Sequence, residues 1–176
     1  MLDWRTAVVV LFGGIAGAAL AVRWIEPRDV VIVAAYVGAL VLLLATDLDQ
    51  RMLPDAVTLP MIPAALVILL LGWDPLLAGK EFGLASGLAA GIAFPLLLFA
   101  GSAVLRGGLG LGDVKLLVSV GLVSGVSALL SGLLIASLSF GALLVVLLAL
   151  GRVALRSYVP FGPVIILAAA IAALAP

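Results

Sequence analysis

The chain has 176 residues, of which 66% are hydrophobic and only 10% are charged, with nine basic and nine acidic side chains. Its mean hydropathy of +1.45 excludes an ordinary soluble domain, in which about 45–50% of residues are apolar and about 25% are charged. The sequence has no histidine and no cysteine, which excludes disulfides, thiolate metal sites and Cys or His catalysis. No basic cluster indicates a nucleic-acid partner.

Long apolar runs predict an all-α, polytopic membrane protein with about six to seven transmembrane helices, since one crossing takes about 20 residues. The first helix lies between Trp4 and Trp24, a spacing that suits the two membrane interfaces, so we interpret it as a retained helix and not as a signal peptide. No linker marks a second domain, and we expect a single membrane-embedded domain over residues 1–176. The predicted helices cover about 6–22, 30–46 or beyond, 55–72, 81–105, 113–124, 127–150 and 160–174.

One helix boundary lies inside the apolar tract 114–150, which is too long for one crossing and tight for two. The cluster Ser124-Gly125-Val126-Ser127 is the one stretch of small and polar residues there that suits a turn, so we divide the tract at this point. Seven crossings result, and the positive-inside rule then places the N-terminus in the cytoplasm. The inner side holds Arg5, Arg51, Arg106, Lys115, Arg152 and Arg156, against Arg23, Arg28 and Lys80 outside.

Two aspartates stand at the edges of membrane-spanning segments, where a carboxylate is costly and is by default a functional candidate. Asp47 ends the second apolar run, and Asp113 follows a glycine-rich run. The predicted topology brings both to the cytoplasmic face, where two neighbouring carboxylates can share a proton and activate water. The pattern indicates an aspartic protease. Helix dipoles favour Asp113, at a helix N-terminus, as the base and Asp47, near a C-terminus, as the acid.

The same carboxylates also allow simpler interpretations. Asp47 can pair with Arg51 one helical turn later, and Asp113 or Asp55 can act as a helix N-cap. We expect Asp49 and Arg51 to lie in a solvated loop, and Lys115 to anchor the chain at the interface.

An N-cap does not account for the glycines that precede Asp113, which are Gly107, Gly108, Gly110 and Gly112. Glycine permits strained backbone and close approach of another chain, so this run suits a surface that binds an extended peptide. It matches neither a dinucleotide fingerprint nor a P-loop.

Three motifs resemble segments of the type IV prepilin peptidases, a family of GxGD aspartic proteases. They are DLDQRMLPDAVTLP (47–60), GLGLGDVKLL (108–117) and VPFGPVIILAA (159–169). The resemblance implies a membrane endopeptidase that cuts the short basic leader from prepilins or prepilin-like proteins at the cytoplasmic face, just before their hydrophobic helix. Asp47 and Asp113 match the catalytic pair, while Asp55 and Lys115 match shared positions without an assigned role.

Many bacterial members of this family carry two CxxC pairs and an N-methyltransferase activity, which we do not predict for this cysteine-free chain. Arg106-Gly107-Gly108 also replaces a common Lys-Glu-Gly. The expected form is peptidase-only, in a bilayer, with no cofactor and no metal. Two alternatives stay open. One is a lipid-phosphate enzyme with a divalent cation on Asp47, Asp49, Asp55 and Asp113. The other is an ion or proton carrier.

Overall fold

The computed structural model describes residues 3–50, 52–104, 110–151 and 161–174, and all regular secondary structure in these ranges is α-helical. Four helices are long and apolar enough to cross a membrane, and two are shorter apolar helices. The expected all-α, polytopic class is therefore confirmed. The helices are α1 (Trp4–Arg23), α2 (Pro27–Gln50), α3 (Asp55–Leu70), α4 (Gly83–Val104), α5 (Leu111–Ala149) and α6 (Gly162–Leu174).

The longest helix, α5, is two helices joined at Gly125, whose φ of 69° and ψ of 177° are not helical. Glycine adopts this conformation without the steric cost that a Cβ would add. Before Gly125, the carbonyl of Val118 lies beside Gly91 of α4. Just after it, the backbone N–H of Val126 donates to Ser86 Oγ at 2.9 Å. The first half of α5 therefore runs antiparallel to α4.

After Gly125 the chain runs in the opposite sense, so the predicted turn at this cluster is confirmed. Gly132 lies against the carbonyl of Ala168, and Ala136, one turn later, packs with Val164. The second half of α5 therefore runs antiparallel to α6.

The first half of α5 runs parallel to α6. Leu116 shares a core with Ile165, and Leu122, further along α5, shares one with Ala173 near the end of α6.

The shortest helix, α6, forms the centre of the bundle and packs against α1, α2 and α5. Nine of its thirteen residues are buried, and most of these are alanines, which let neighbouring helices approach closely. Ile165 and Ile166 share a core with Leu116 and Leu117 of α5. The N-terminus of α6 consequently meets the end of α2 and the start of α5.

Three helix boundaries correct the sequence expectations. α2 continues through Asp47 and Asp49 to Gln50, so the expected loop around Asp49 is wrong. α3 begins at Asp55, which makes no cap because Pro54 occupies that position. α5 begins at Leu111 after an N-cap at Gly110, so Asp113 lies in the first turn and is not the N-cap.

Candidate active site

Asp47 lies in the last turn of α2 and is 7% exposed. Its carboxylate rests directly on the start of α6. A Cβ built on Gly162 would lie 3.0 Å from Asp47 Oδ1 and 3.1 Å from Oδ2. Contacts this short are rare for real Cβ atoms, so only glycine fits here without moving the carboxylate. Among the described residues, Asp47 Oδ2 is buried without a hydrogen-bond partner, which leaves an acceptor for a water or a substrate group.

Asp113 is the third residue of α5 and is half-buried. Its Oδ2 lies 3.5 Å from the position of a Cβ on Gly110, and the Gly110 backbone N–H lies beside its carboxylate. The charge of Asp47 is close enough to repel that of Asp113. The structure therefore brings together the two carboxylates that the sequence singled out, from helix ends 66 residues apart in the chain.

In the described part of the glycine run, Gly112 packs closely against a neighbouring segment of the chain. A Cβ on Gly112 would lie 3.2 Å from Leu53 Cβ and 3.6 Å from the Leu53 carbonyl oxygen. This contact holds the start of α5 against the connection between α2 and α3. Gly108, also predicted to support the site, lies with Gly107 outside the described residues. Whether the run binds extended peptide remains a prediction.

Asp55 and Lys115 form an ion pair, with Lys115 Nζ donating to Asp55 Oδ1 at 2.7 Å. Asp55 is not the N-cap expected from the sequence, because Pro54 holds that position. Lys115 is a partner of Asp55 as well as a basic group near one end of the bundle. Both side chains are partly exposed, and such a pair contributes about 0–1 kcal/mol. Its effect is geometric: it ties the first turn of α3 to the first turn of α5, two residues from Asp113.

A second ion pair lies at the same end of the bundle, with Arg5 Nη1 donating to Asp49 Oδ1 at 3.0 Å. Sequence reasoning placed Asp49 in a solvated loop and missed this contact, since Arg5 precedes it by 44 residues. Arg51 lies outside the described residues, so its proposed pairing with Asp47 is untested. The Arg5–Asp49 pair fixes α1 against the end of α2 that carries Asp47.

The four carboxylates proposed for a metal do not converge. Asp49 is paired with Arg5 and Asp55 with Lys115, whereas the charge of Asp47 acts on Asp113. In the part of the chain that the structure describes, no group of three or more acidic side chains is placed to hold an ion. The metal-dependent alternative is therefore not favoured.

The N-terminus of α6 alters the effect that helix dipoles are expected to have on Asp47. Asp47 lies near the C-terminus of α2, as expected, but its carboxylate also contacts the first residue of α6. The positive end of the α6 dipole opposes the negative end of α2 there. Helix dipoles alone therefore no longer support assigning Asp47 as the acid, and the assignment stays a prediction. Sequence reasoning quoted the Phe-Gly-Pro motif at 161–163 but missed this contact of Gly162.

These features define a multi-pass α-helical membrane protein with two neighbouring carboxylates at one end of its helix bundle. Residues 34–146 match the type IV leader peptidase family. The chain belongs to this family, and the resemblance found in the motifs is confirmed.

Two curated relatives are similar to this chain, each named "Prepilin leader peptidase/N-methyltransferase", from Burkholderia pseudomallei strains 1026b and K96243. Each is 34% identical over 128 residues, which cover 72% of this chain and 40% of the relative. The aligned region thus spans less than half the length of the curated relatives. No solved structure matches this chain significantly.

Proposed function

We propose that this protein is an aspartic endopeptidase that removes the short basic leader from prepilins or prepilin-like proteins. The observation that carries the proposal is the convergence of Asp47 and Asp113, one buried and one half-buried, at one end of an apolar bundle. Family membership and the printed name of the two relatives support the same activity. The ion-carrier alternative lacks comparable support, because both acids lie at the same end of the bundle.

The chemistry needs one ionised and one protonated carboxyl group. The ionised group takes a proton from a water molecule, whose oxygen attacks the carbonyl carbon of the scissile peptide bond, while the protonated group donates to the carbonyl oxygen. The tetrahedral intermediate then collapses, the C–N bond breaks and the leaving amine takes a proton from the pair. Asp113 as base and Asp47 as acid remains our assignment, although the pair titrates as a unit.

The proposed location is the cytoplasmic side of the cell membrane, with the N-terminus inside. The structure groups Arg5, Asp49 and the Asp55–Lys115 pair at the catalytic end. Loop charge favours that end as the cytoplasmic one. Because the chain has no cysteine, Gln50→Cys and Lys80→Cys each introduce a single thiol that a reagent can modify. A membrane-impermeant thiol reagent added outside should modify the cysteine at 80 and spare that at 50; the reverse pattern would invert the proposed orientation.

The activity itself is tested by co-expressing the chain with a prepilin encoded in the same genome and measuring the mass of the pilin. The expected product lacks its leader and begins at the hydrophobic segment. Purified enzyme should keep this activity in excess EDTA, because two carboxylates suffice for the chemistry. A requirement for added divalent cation would instead favour metal-assisted hydrolysis.

A further inference from the structure

An apolar cavity with a volume of about 490 Å³ lies between α2 and α3. Its walls are almost entirely apolar. Several lining residues are exposed, among them Val31 and Ala35 of α2 and Pro60 and Ala64 of α3. The cavity is thus a groove on the side of the bundle, open to the hydrocarbon of the bilayer, and we call it the α2–α3 groove.

The groove begins at the catalytic end. Ala56 and Val57 line its inner end, directly after Asp55, which holds Lys115 near Asp113. Its outer end is lined by the loop after α3, beginning with Asp74. It therefore follows the whole of α3, whose 16 residues span about 24 Å at 1.5 Å per residue. This length is most of the roughly 30 Å hydrocarbon core of a membrane.

Two polar groups at the outer end are buried without a partner among the described residues. They are Tyr36 Oη and Asp74 Oδ2, and both residues line the groove. Asp74 is 1% exposed, and its other oxygen, Oδ1, accepts the N–H groups of Leu76 at 2.9 Å and Leu77 at 3.2 Å. An unpartnered buried polar group costs about 1–3 kcal/mol, so a hydroxyl and a carboxyl oxygen left free at a groove indicate a ligand with polar atoms.

We propose that the α2–α3 groove holds the hydrophobic helix of the substrate during cleavage, and that Tyr36 and Asp74 bind a polar side chain of that helix. This proposal rests on the proposed function. A leader peptidase cuts just before an apolar helix, and the groove is the apolar surface that begins at the catalytic end. From the groove length, the polar residue should lie about 15 positions beyond the scissile bond.

A lipid acyl chain fits the groove less well. One leaflet supplies only about 15 Å of hydrocarbon, which is shorter than α3. An acyl chain also has no polar atom to offer at the depth of Tyr36 and Asp74. A peptide helix satisfies both requirements, because it spans the full length and can carry a serine, threonine or amide side chain at the outer end.

The first test fills the groove. Ala64→Trp places an indole in it, whereas Val67→Trp, on an exposed position of α3 that does not line the groove, is the matched control. Two substrates are compared: a prepilin with its complete hydrophobic helix, and the same leader followed by only six residues. We expect Ala64→Trp to lower kcat/KM at least tenfold for the complete substrate and less than twofold for the short one, with Val67→Trp unchanged for both.

Equal rates for Ala64→Trp and the wild type on the complete substrate would overturn the groove proposal. Failure of the wild type to cut either substrate would instead contradict the proposed function, so the two failures are distinguishable. A photoreactive residue at position 64 in an Asp113→Asn background gives a readout independent of turnover. It should cross-link to the substrate helix, and cross-links to lipid alone would also overturn the groove proposal.

The second test concerns the polar pair. Tyr36→Phe and Asp74→Asn are compared on a prepilin whose helix carries serine at position 15 after the cut and on the same prepilin with leucine there. Each variant should lose about tenfold in affinity for the serine form, about 1.4 kcal/mol, and little for the leucine form. Asn keeps an acceptor for Leu76 and Leu77, so the turn should persist. Equal losses for both substrates would assign the pair a structural role only.

Discussion

Gly162→Ala should damage catalysis while leaving the bundle folded. The added Cβ would lie 3.0 Å from Asp47 Oδ1 and 3.1 Å from both Cγ and Oδ2. Ordinary carbon contacts are about 3.5–4.0 Å, so the carboxylate must move by roughly 0.5 Å. A displacement of about 1 Å in a reacting group can cost about 100-fold in rate, and half of it corresponds to roughly tenfold. Gly162→Val should cost more.

The assay is initial-rate cleavage of a prepilin by purified enzyme in detergent, with kcat and KM determined separately. The loss should fall on kcat, because the substitution moves a catalytic group and leaves the α2–α3 groove intact. Gly38→Ala lies in α2, the helix that carries Asp47, and has no atom within 4 Å of the new Cβ. It is the control and should keep wild-type activity. An unchanged kcat for Gly162→Ala would refute the argument that α6 fixes the position of Asp47.

Two further predictions concern charged groups outside the catalytic pair. Lys115→Gln removes the ion pair with Asp55 and should lower the free energy of unfolding by less than about 1 kcal/mol, while most cleavage activity survives; loss of all activity with normal expression would give Lys115 a direct role. Burial raises the pKa of the Asp74 carboxyl from 3.8 to about 6, although the N–H groups of Leu76 and Leu77 and the charge of Lys80 oppose the rise. The folded state therefore binds this proton more tightly than the unfolded state, so the stabilisation is fully present below about pH 4 and is lost as pH rises through 6. Relative to Asp74→Asn, the free energy of unfolding of the wild type should fall by about 3 kcal/mol between pH 3 and pH 8, measured by denaturant unfolding in detergent, and parallel pH profiles of the two proteins would contradict this.

Much of the fold follows from local sequence signals. Apolar runs located the helices, and the small-residue cluster around Gly125 located the reversal in α5. The end of α2 was placed too early, because its apolar pattern fades at Thr46. The helix nevertheless continues to Gln50, where Arg5 of α1 pairs with Asp49. That partner is 44 residues away, and no local pattern reveals it.

The two aspartates of the candidate site could be predicted from the sequence, but most of the contacts around them could not. A carboxylate at a membrane edge is conspicuous in sequence, so Asp47 and Asp113 could be selected directly. The expected cap at Asp55 is wrong because Pro54 occupies the cap position. The ion pair of Asp55 with Lys115, 60 residues later, has no local sequence signal. The contact of Gly162 with Asp47 and the α2–α3 groove arise only when separate helices pack together, and no local spacing in the sequence encodes them.

Asp47 and Asp113 are proposed to act as one catalytic unit. The most direct measurement is kcat/KM for prepilin cleavage by Asp47→Asn, Asp113→Asn and the double variant, each purified at wild-type yield. Asn preserves size and most hydrogen bonds but neither carries the charge nor exchanges the proton. Each single variant should lose at least about 1,000-fold, and the double variant should lose no more than the worse single one, since residues that act as a unit are not additive. Near wild-type cleavage by either single variant would contradict the account.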